Sequence, residues 1–115
     1  MSARVTSSLF VAALIRQAEI AGASAVVARH GAEEAGAIFV CVDRLDGTSD
    51  LYAPAPQSVF ADADDGDRLF SKVKDRVTDA EIDAALAKEV RFDEDLWVVT
   101  VEDRDGRAFV TLAKG

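Results

Sequence analysis

The chain has 115 residues, of which 50% are hydrophobic and 30% are charged, and its formal net charge is −8 at pH 7. This length and composition predict a single globular domain over residues 1–115 and exclude a disordered chain. A negative field repels phosphate groups, so the charge argues against binding to nucleic acid and to an anionic membrane surface. Because Cys41 is the single cysteine, an intramolecular disulfide is excluded, and we expect a cytoplasmic protein.

Residues 7–22 are predicted to form an amphipathic helix. One apolar stripe recurs at helical spacing and consists of Val11, Leu14, Ile15, Ala18 and Gly22. The apolar stretch over residues 9–15 is too short to cross a bilayer, and the charged residues Arg16 and Glu19 follow at once. We therefore expect a helix that packs on the core of the domain, and neither a membrane span nor a signal peptide.

Two strands are predicted next, over residues 24–30 and 35–43. The second is apolar on both faces, which is typical of a central strand buried on both sides. The connector between them is too short for a crossover helix, so we expect the two strands to be antiparallel.

A hairpin is predicted at Asp46-Gly47. Asp-Gly between strand-like segments is the strongest short hairpin signal, because a type I′ turn needs positive φ at both central positions. The returning strand covers residues 48–53, and Pro54 and Pro56 end it because proline cannot donate to a ladder.

The same string, residues 43–50, resembles the Asp-Pro-Leu-Asp-Gly-Thr element of the inositol-monophosphatase family. In that family two aspartates bind magnesium and the threonine helps to activate water. Here Arg44 replaces the proline, and the upstream glutamate-rich motif is missing from the chain. We therefore favour a hairpin that holds no metal.

Residues 54–67 are predicted to form a loop, which has room for a short strand over residues 58–61. The acidic run over residues 62–67 does not fit a calcium-binding EF-hand loop, because alanine stands where the first two ligands belong. Residues 68–75 then alternate between apolar and basic positions. This pattern favours an edge strand whose lysines block unwanted pairing, with a helix as the alternative.

The last third of the chain begins with a well-marked helix. Thr78-Asp-Ala-Glu81 is a capping box, and the helix is expected to end near Arg91. Residues 96–102 follow as a strand, and Asp105-Gly106 predicts a second hairpin that returns over residues 107–112. Together the elements predict a two-layer α+β fold, with two helices packed on a mostly antiparallel sheet of five to seven strands.

The strand over residues 96–102 also predicts a homodimer. Trp97 shares one face of this strand with Val99 and Val101, and its other face is apolar as well. Two helices in one layer leave one face of the sheet uncovered, and an uncovered apolar face is an interaction surface. We therefore expect a homodimer through an apolar sheet face. The alternatives are that Trp97 packs inside the monomer, and that another protein is the partner.

Side-chain chemistry points to no catalytic residue, metal site or cofactor. Cys41 lies within a strand, where it is expected to pack as an apolar residue, and it meets His30 only if the two strands are neighbours. The alternative is a small enzyme or ligand-binding domain. Its site beside residues 52–57 would bring together Arg44, Tyr52, Gln57 and Trp97.

Two segments, residues 36–57 and 91–107, carry a family resemblance. They include Ile-Phe-Val-Cys-Val-Asp-Arg-Leu-Asp-Gly-Thr-Ser-Asp and Phe-Asp-Glu-Asp-Leu-Trp-Val-Val-Thr-Val-Glu. With Ala-Leu-Ile-Arg of the first helix, they resemble the bacterial domain-of-unknown-function family 1491 over nearly the whole chain. The resemblance implies a small, stand-alone, cytoplasmic bacterial protein and assigns no activity. We therefore predict a non-enzymatic interaction or regulatory protein.

Overall fold

The structure, a computed structural model, describes residues 5–56 and 68–113. The elements within these residues are, in chain order, α1 (Ser7–Ile20), β1 (Ser24–Arg29), β2 (Ile38–Asp43), β3 (Ser49–Pro54), β4 (Leu69–Val77), α2 (Asp79–Phe92), β5 (Trp97–Glu102) and β6 (Thr111–Leu112). The strands form one sheet in the order β1-β5-β2-β3-β4-β6. The predicted short strand over residues 58–61 and the acidic run over residues 62–67 lie outside the described residues.

The sheet is mixed but mostly antiparallel, which confirms the predicted α+β class. The pairs β1–β5, β2–β3 and β3–β4 are antiparallel, whereas β2–β5 and β4–β6 are parallel. The structure differs from the predicted two-layer arrangement, because α1 and α2 pack on opposite faces of the sheet. The central strands β2 and β5 are apolar on both faces, so a helix on each side removes both from water.

The face under α1, here the α1 face, carries the larger part of the core. Val11, Leu14 and Ala18 of α1 are buried in one cluster with Ala25 of β1 and with alternate residues of the two central strands, which are Ile38, Val40, Val42, Trp97, Val99 and Val101. Ala108, Phe109 and Val110 extend this cluster beyond β5. The predicted stripe of the first helix is thus confirmed at its three buried positions.

The opposite face, here the α2 face, is covered by the second helix. The predicted capping box is present, with the Thr78 side chain accepting from the Glu81 N–H at 3.2 Å. The buried cluster joins Ile82 to the remaining residues of the central strands and their neighbour, which are Phe39, Cys41, Leu51, Leu96 and Val98.

The first Asp-Gly hairpin is confirmed, although its turn is not type I′. Positive φ occurs at Leu45 (64°) and Gly47 (91°), and not at Asp46. The Arg44 N–H donates to the Thr48 carbonyl at 3.0 Å, so the loop between them has three residues. The hairpin therefore needs its glycine at the last loop position, where the left-handed conformation is required.

The second Asp-Gly hairpin is wrong as a prediction. Gly106 does form a turn, in which its N–H donates to the Asp103 carbonyl at 3.0 Å. However, β5 already lies between β1 and β2, so neither of its sides can accept a returning strand. The chain instead continues past Ala108 over the α1 face, and β6 pairs parallel to β4.

The strand order also corrects the expected neighbourhood of the first two strands. β1 and β2 run in opposite directions, as predicted, but β5 lies between them.

Of residues 68–75, for which an edge strand and a helix were both considered, all from Leu69 onward belong to a strand. Because β6 pairs only with Leu69 and Phe70, the remainder of β4 behaves as the predicted edge strand within the described part of the chain.

Candidate functional site

The predicted ligand site is only partly assembled in the fold. Arg44 and Tyr52 lie in the same region of the α1 face, around the carboxylate of Asp50. Trp97 pairs with Ile38, which lies six residues before Arg44 on the same strand path, roughly 20 Å away at about 3.3 Å per residue. Gln57 lies outside the described residues. Among the described residues, Trp97 and Arg44 therefore lie at opposite ends of β2, and Tyr52, which pairs with Val40, lies between them.

Asp50 is the centre of a buried ion cluster, here the Asp50 cluster, formed with Arg44, Lys72 and the backbone of Arg76. Its side chain is 0% exposed, and Arg44 contacts Oδ2 through Nη2 at 2.7 Å and Nε at 3.0 Å. The Arg76 N–H donates to Oδ1 at 2.8 Å, which holds Arg76 at its positive φ of 53°. The cluster thereby joins β3 to a bulge in β4.

The charges of the Asp50 cluster are satisfied within the protein. The hydrogen bond to Asp50 raises the pKa of Arg44, and the hydrogen bond to Asp75 raises the pKa of Lys72. Lys72 Nζ lies 2.8 Å from Asp75 Oδ1 and 3.7 Å from Asp50 Oδ2. It also lies 5.7 Å from the ring centre of Tyr52, which is buried. This arrangement suits a structural clamp, because paired and buried charges are already compensated.

Trp97 belongs to the monomer core. It is 2% exposed, and its Nε1–H donates to the Ala32 carbonyl at 2.8 Å. The ring of His30 lies against it, with the ring centres 4.2 Å apart. Because α1 covers Trp97, Val99 and Val101, the uncovered apolar sheet face on which the predicted dimer depended is not present in the described residues.

The string that resembles a magnesium motif is used to build its own turn. Asp43 Oδ1 accepts from the Leu45 N–H at 2.8 Å, and Asp46 Oδ1 accepts from the N–H and hydroxyl of Thr48 at 3.0 and 2.6 Å. These bonds from Thr48 lower the pKa of Asp46. Across residues 5–56 and 68–113, three or more acidic, histidine or cysteine side chains do not gather in a group able to hold a metal ion.

Cys41 and His30 do not form a catalytic pair. Cys41 lies on the α2 face, whereas His30 packs on Trp97, whose side chain lies on the α1 face. Burial raises the pKa of the Cys41 thiol to about 11, so the reactive thiolate is scarce at neutral pH. The pair required neighbouring strands, and β5 separates them.

The feature that sequence reasoning missed is the outer edge of β1, here the β1 edge. Within the described residues, β1 pairs with β5 alone. Val26 is 60% exposed on the α2 face and Val27 is 40% exposed on the α1 face. The signal in the sequence is the run Ser24 to Ala28, which contains no charged residue and no proline.

Two hydrogen bonds establish which backbone groups the β1 edge presents. Trp97 N–H donates to the Ala37 carbonyl at 2.7 Å, and Asp103 N–H donates to the Asp43 carbonyl at 3.0 Å. The backbone N–H and C=O groups of odd-numbered β5 residues therefore point toward β2, and those of even-numbered residues point toward β1, because these groups alternate in direction along a strand. Since Val26 lies opposite Thr100, it bonds to β5. Ala25 and Val27 consequently direct their N–H and C=O groups outward.

A search of the part of the chain that the structure describes finds no helix with the length and apolar character needed to cross a membrane.

Comparison with known proteins identifies a family. A family model described as "Protein of unknown function (DUF1491)" matches residues 5–111. The solution structure of protein Atu0922 from A. tumefaciens is 46% identical, covers 98% of each chain and has a TM-score of 0.84. A crystal structure of a DUF1491 family protein from Caulobacter crescentus CB15 is 36% identical, with a TM-score of 0.78 over 97% of this chain and 100% of that one. An NMR structure of a DUF1491 family protein from the same organism is 38% identical, with a TM-score of 0.78 over 98% and 100%. The curated proteins provided no match. This chain therefore belongs to the DUF1491 family, a family of unknown function.

Proposed function

We propose that this protein is a non-enzymatic interaction domain of the bacterial cytoplasm and that it binds another polypeptide by adding a strand at the β1 edge. The observation that carries the proposal is the exposure of Val26 and Val27 on a strand whose outward backbone groups, in the described residues, bond to no other strand. Strand addition obtains affinity from main-chain hydrogen bonds and specificity from alternate side chains. The origin of the similar structures in A. tumefaciens and C. crescentus supports a bacterial setting.

The composition of β1 supports the same proposal. Edge strands of proteins that must stay apart carry lysine, proline, a strong bulge or a covering element. β1 has neither lysine nor proline, and its one charged residue, Arg29, and its bulge both lie at its C-terminal end, after Val27. The homodimer expected from the sequence would therefore use this edge and not a sheet face.

A cytoplasmic location is supported by the cysteine. Cys41 is a free, buried thiol and the chain has no second cysteine, so its stability does not depend on a disulfide.

Affinity capture from the native cell tests the proposal with two matched variants. Val26→Lys places a charge on the β1 edge, whereas Val73→Lys places the same charge on a valine of β4 that is 50% exposed, against 60% for Val26. We expect the wild type and Val73→Lys to retain the same bound polypeptide, and Val26→Lys to lose it. A thermal-shift screen over metals, nucleotides and metabolites is expected to stay flat. Retention by Val26→Lys would contradict the proposal.

A small-ligand site is a second candidate, favoured by one pocket. A cavity of about 180 Å³ lies between α1 and the segment leading to β6, and its walls include Phe10, Gln17, Arg68, Phe109 and Thr111. It is near the predicted 52–57 region, because the Ala55 N–H donates to the Leu69 carbonyl at 2.8 Å. The volume is below the roughly 300–1,000 Å³ of common ligand pockets, so it ranks second. A specific thermal-shift hit that Phe109→Ala abolishes would favour it.

A further inference from the structure

We infer that the strand added at the β1 edge is β1 of a second copy of this chain, paired antiparallel about a two-fold axis that passes through Val26. This inference rests on the proposed function and names the partner of the same site. It makes one continuous sheet from two six-stranded sheets.

The register follows from the outward backbone groups. A two-fold axis perpendicular to the sheet keeps the α1 faces of both copies on one side, so each residue must lie opposite one of the same face. The backbone groups of Ala25 and Val27 both point outward, and their side chains both lie on the α1 face. Ala25 therefore lies opposite Val27 of the second copy and exchanges both backbone hydrogen bonds with it. Val26 then lies opposite its own equivalent in a non-hydrogen-bonded pair, where side chains are closest.

The exposed valines explain why this register is favourable. Val26 is 60% exposed and would pack against Val26 of the second copy on the α2 face. Val27, which is 40% exposed, would pack beside Ala25 of the second copy on the α1 face. Both apolar surfaces are thus removed from water by the same pairing.

Arg29 at the end of β1 and Glu102, which lies on β5 beside the start of β1, carry opposite charges, and this favours a second copy over a foreign strand. The register jumps from Val27–Val99 to Arg29–Val98, so Arg29 takes the next position on the α2 face. The two-fold axis places this arginine opposite Ser24 of the second copy, whose pairing partner on β5 is the exposed Glu102. Within one copy Arg29 Nη2 donates to the Glu94 carbonyl at 2.9 Å, and in the dimer two equivalent Arg29 side chains would turn toward Glu102 of the other copy. Within one copy the two residues lie at opposite ends of the β1–β5 pair.

The pairing is also closed. A two-fold contact uses the β1 edge of both copies, and the far edge of each sheet is β6 beside the lysine-bearing strand β4. Lysine on an edge strand opposes further strand addition. Assembly consequently stops at two copies.

Cysteine cross-linking tests the register. In Val26→Cys the two thiols sit in a non-hydrogen-bonded pair with Cα atoms about 4.5 Å apart, which lies inside the disulfide range of about 4.4–6.8 Å. In Val27→Cys the equivalent Cα atoms are about 8 Å apart, outside that range. Native Cys41 is buried and does not compete. Under mild oxidation we expect Val26→Cys to give on the order of ten times more covalent dimer than Val27→Cys.

Charge reversal tests the partner. Light scattering of the wild type is expected to give twice the monomer mass of 12.3 kDa. Arg29→Glu and Glu102→Arg are each expected to shift the mass toward the monomer, and the double variant to restore the dimer. Circular dichroism of every variant separates loss of pairing from loss of folding.

The outcomes separate this inference from the proposed function. A monomeric wild type, or equal cross-linking of Val26→Cys and Val27→Cys, overturns the inference. If the wild type is monomeric while Val26→Lys still abolishes capture of a foreign polypeptide, the proposed function stands and only the second copy is rejected. If the wild type is monomeric and Val26→Lys retains everything captured, both are rejected.

Discussion

The strands near the two edges of the sheet, β1 and β4, differ in how they are protected from pairing with another strand. β4 carries Lys72 and Lys74, bends at a bulge held by Asp50, and is covered at one end by β6. β1 is uncharged from Ser24 to Ala28, and its two valines, Val26 and Val27, are 60% and 40% exposed. Both strands contain a bulge, but of the two only β4 also has lysines and a covering strand, and the proposed strand addition at β1 uses this difference.

The largest loss of stability is expected from removing the centre of the Asp50 cluster, which holds the bulge of β4. Asp50→Ala removes the carboxylate and leaves the Arg44 guanidinium and the Arg76 N–H without their buried acceptor. Loss of one partner from a buried ion pair costs about 3 kcal/mol or more in the free energy of unfolding. Urea unfolding measures it. The exposed Asp75 provides the control, because Asp75→Ala removes an exposed pair with Lys72 and should leave stability nearly unchanged.

The next largest effect is expected at Gly31, which follows β1 and packs closely on the backbone of Asp95 and Leu96. A Cβ at Gly31 would collide with the Asp95 carbonyl and lie 2.6 Å from the Leu96 carbonyl carbon. Gly31→Ala should therefore lower the free energy of unfolding by about 2 kcal/mol, the usual cost of overpacking. Gly22→Ala is the comparison, because that Cβ meets nothing within 4 Å and pays only for its φ of +91°, about 1 kcal/mol. If thermal or urea unfolding shows the same loss of stability for Gly31→Ala and Gly22→Ala, the close contact at Gly31 is not what makes its glycine necessary.

A lysine placed on β1, like those that β4 carries, should prevent strand pairing at the β1 edge. In Val26→Lys, two lysines would face each other across the two-fold axis, and the dissociation constant of the dimer should rise at least about tenfold, or about 1.4 kcal/mol. Val26 is 60% exposed, so the fold should keep its stability. Sedimentation equilibrium compares this variant with Val73→Lys. A similar weakening by both lysines would indicate general charge repulsion instead of pairing at β1.

The smallest effect lies in the turn that carries the chain from β5 toward β6. Hydrogen bonds from Arg107 lower the pKa of Asp103 below its ordinary 3.8. A carboxylate whose pKa is lower in the folded state stabilises the fold above its unfolded pKa, and this contribution is lost as the pH falls through the folded value. The stability difference between the wild type and Asp103→Asn should therefore be present at pH 7 and shrink below about pH 4. A difference independent of pH would exclude this origin.

The candidate site was predictable only in part. Arg44 and Tyr52 lie together because both belong to the β2–β3 hairpin, whose register follows from the turn between them. Trp97 is distant from Arg44 because β5 pairs with β2 in parallel, which places the start of β5 beside Ile38. Nothing local in the sequence marks that pairing, and Asp50, the centre of the ion cluster, stood in the turn motif as one acidic residue among several.

By itself the sequence determined the local structure: the capped helix at Thr78, the buried stripe of α1, the hairpin at Asp46-Gly47 and the two-sided apolar strands. Each of these depends on side chains a few residues apart, whose spacing is visible along the chain. Only the tertiary structure decided the strand order, and with it the failed hairpin at Asp105-Gly106, the burial of Trp97 and the exposure of Val26. The physical reason is that periodicity specifies which face of a strand is buried, whereas its neighbours are chosen by packing between residues far apart in sequence.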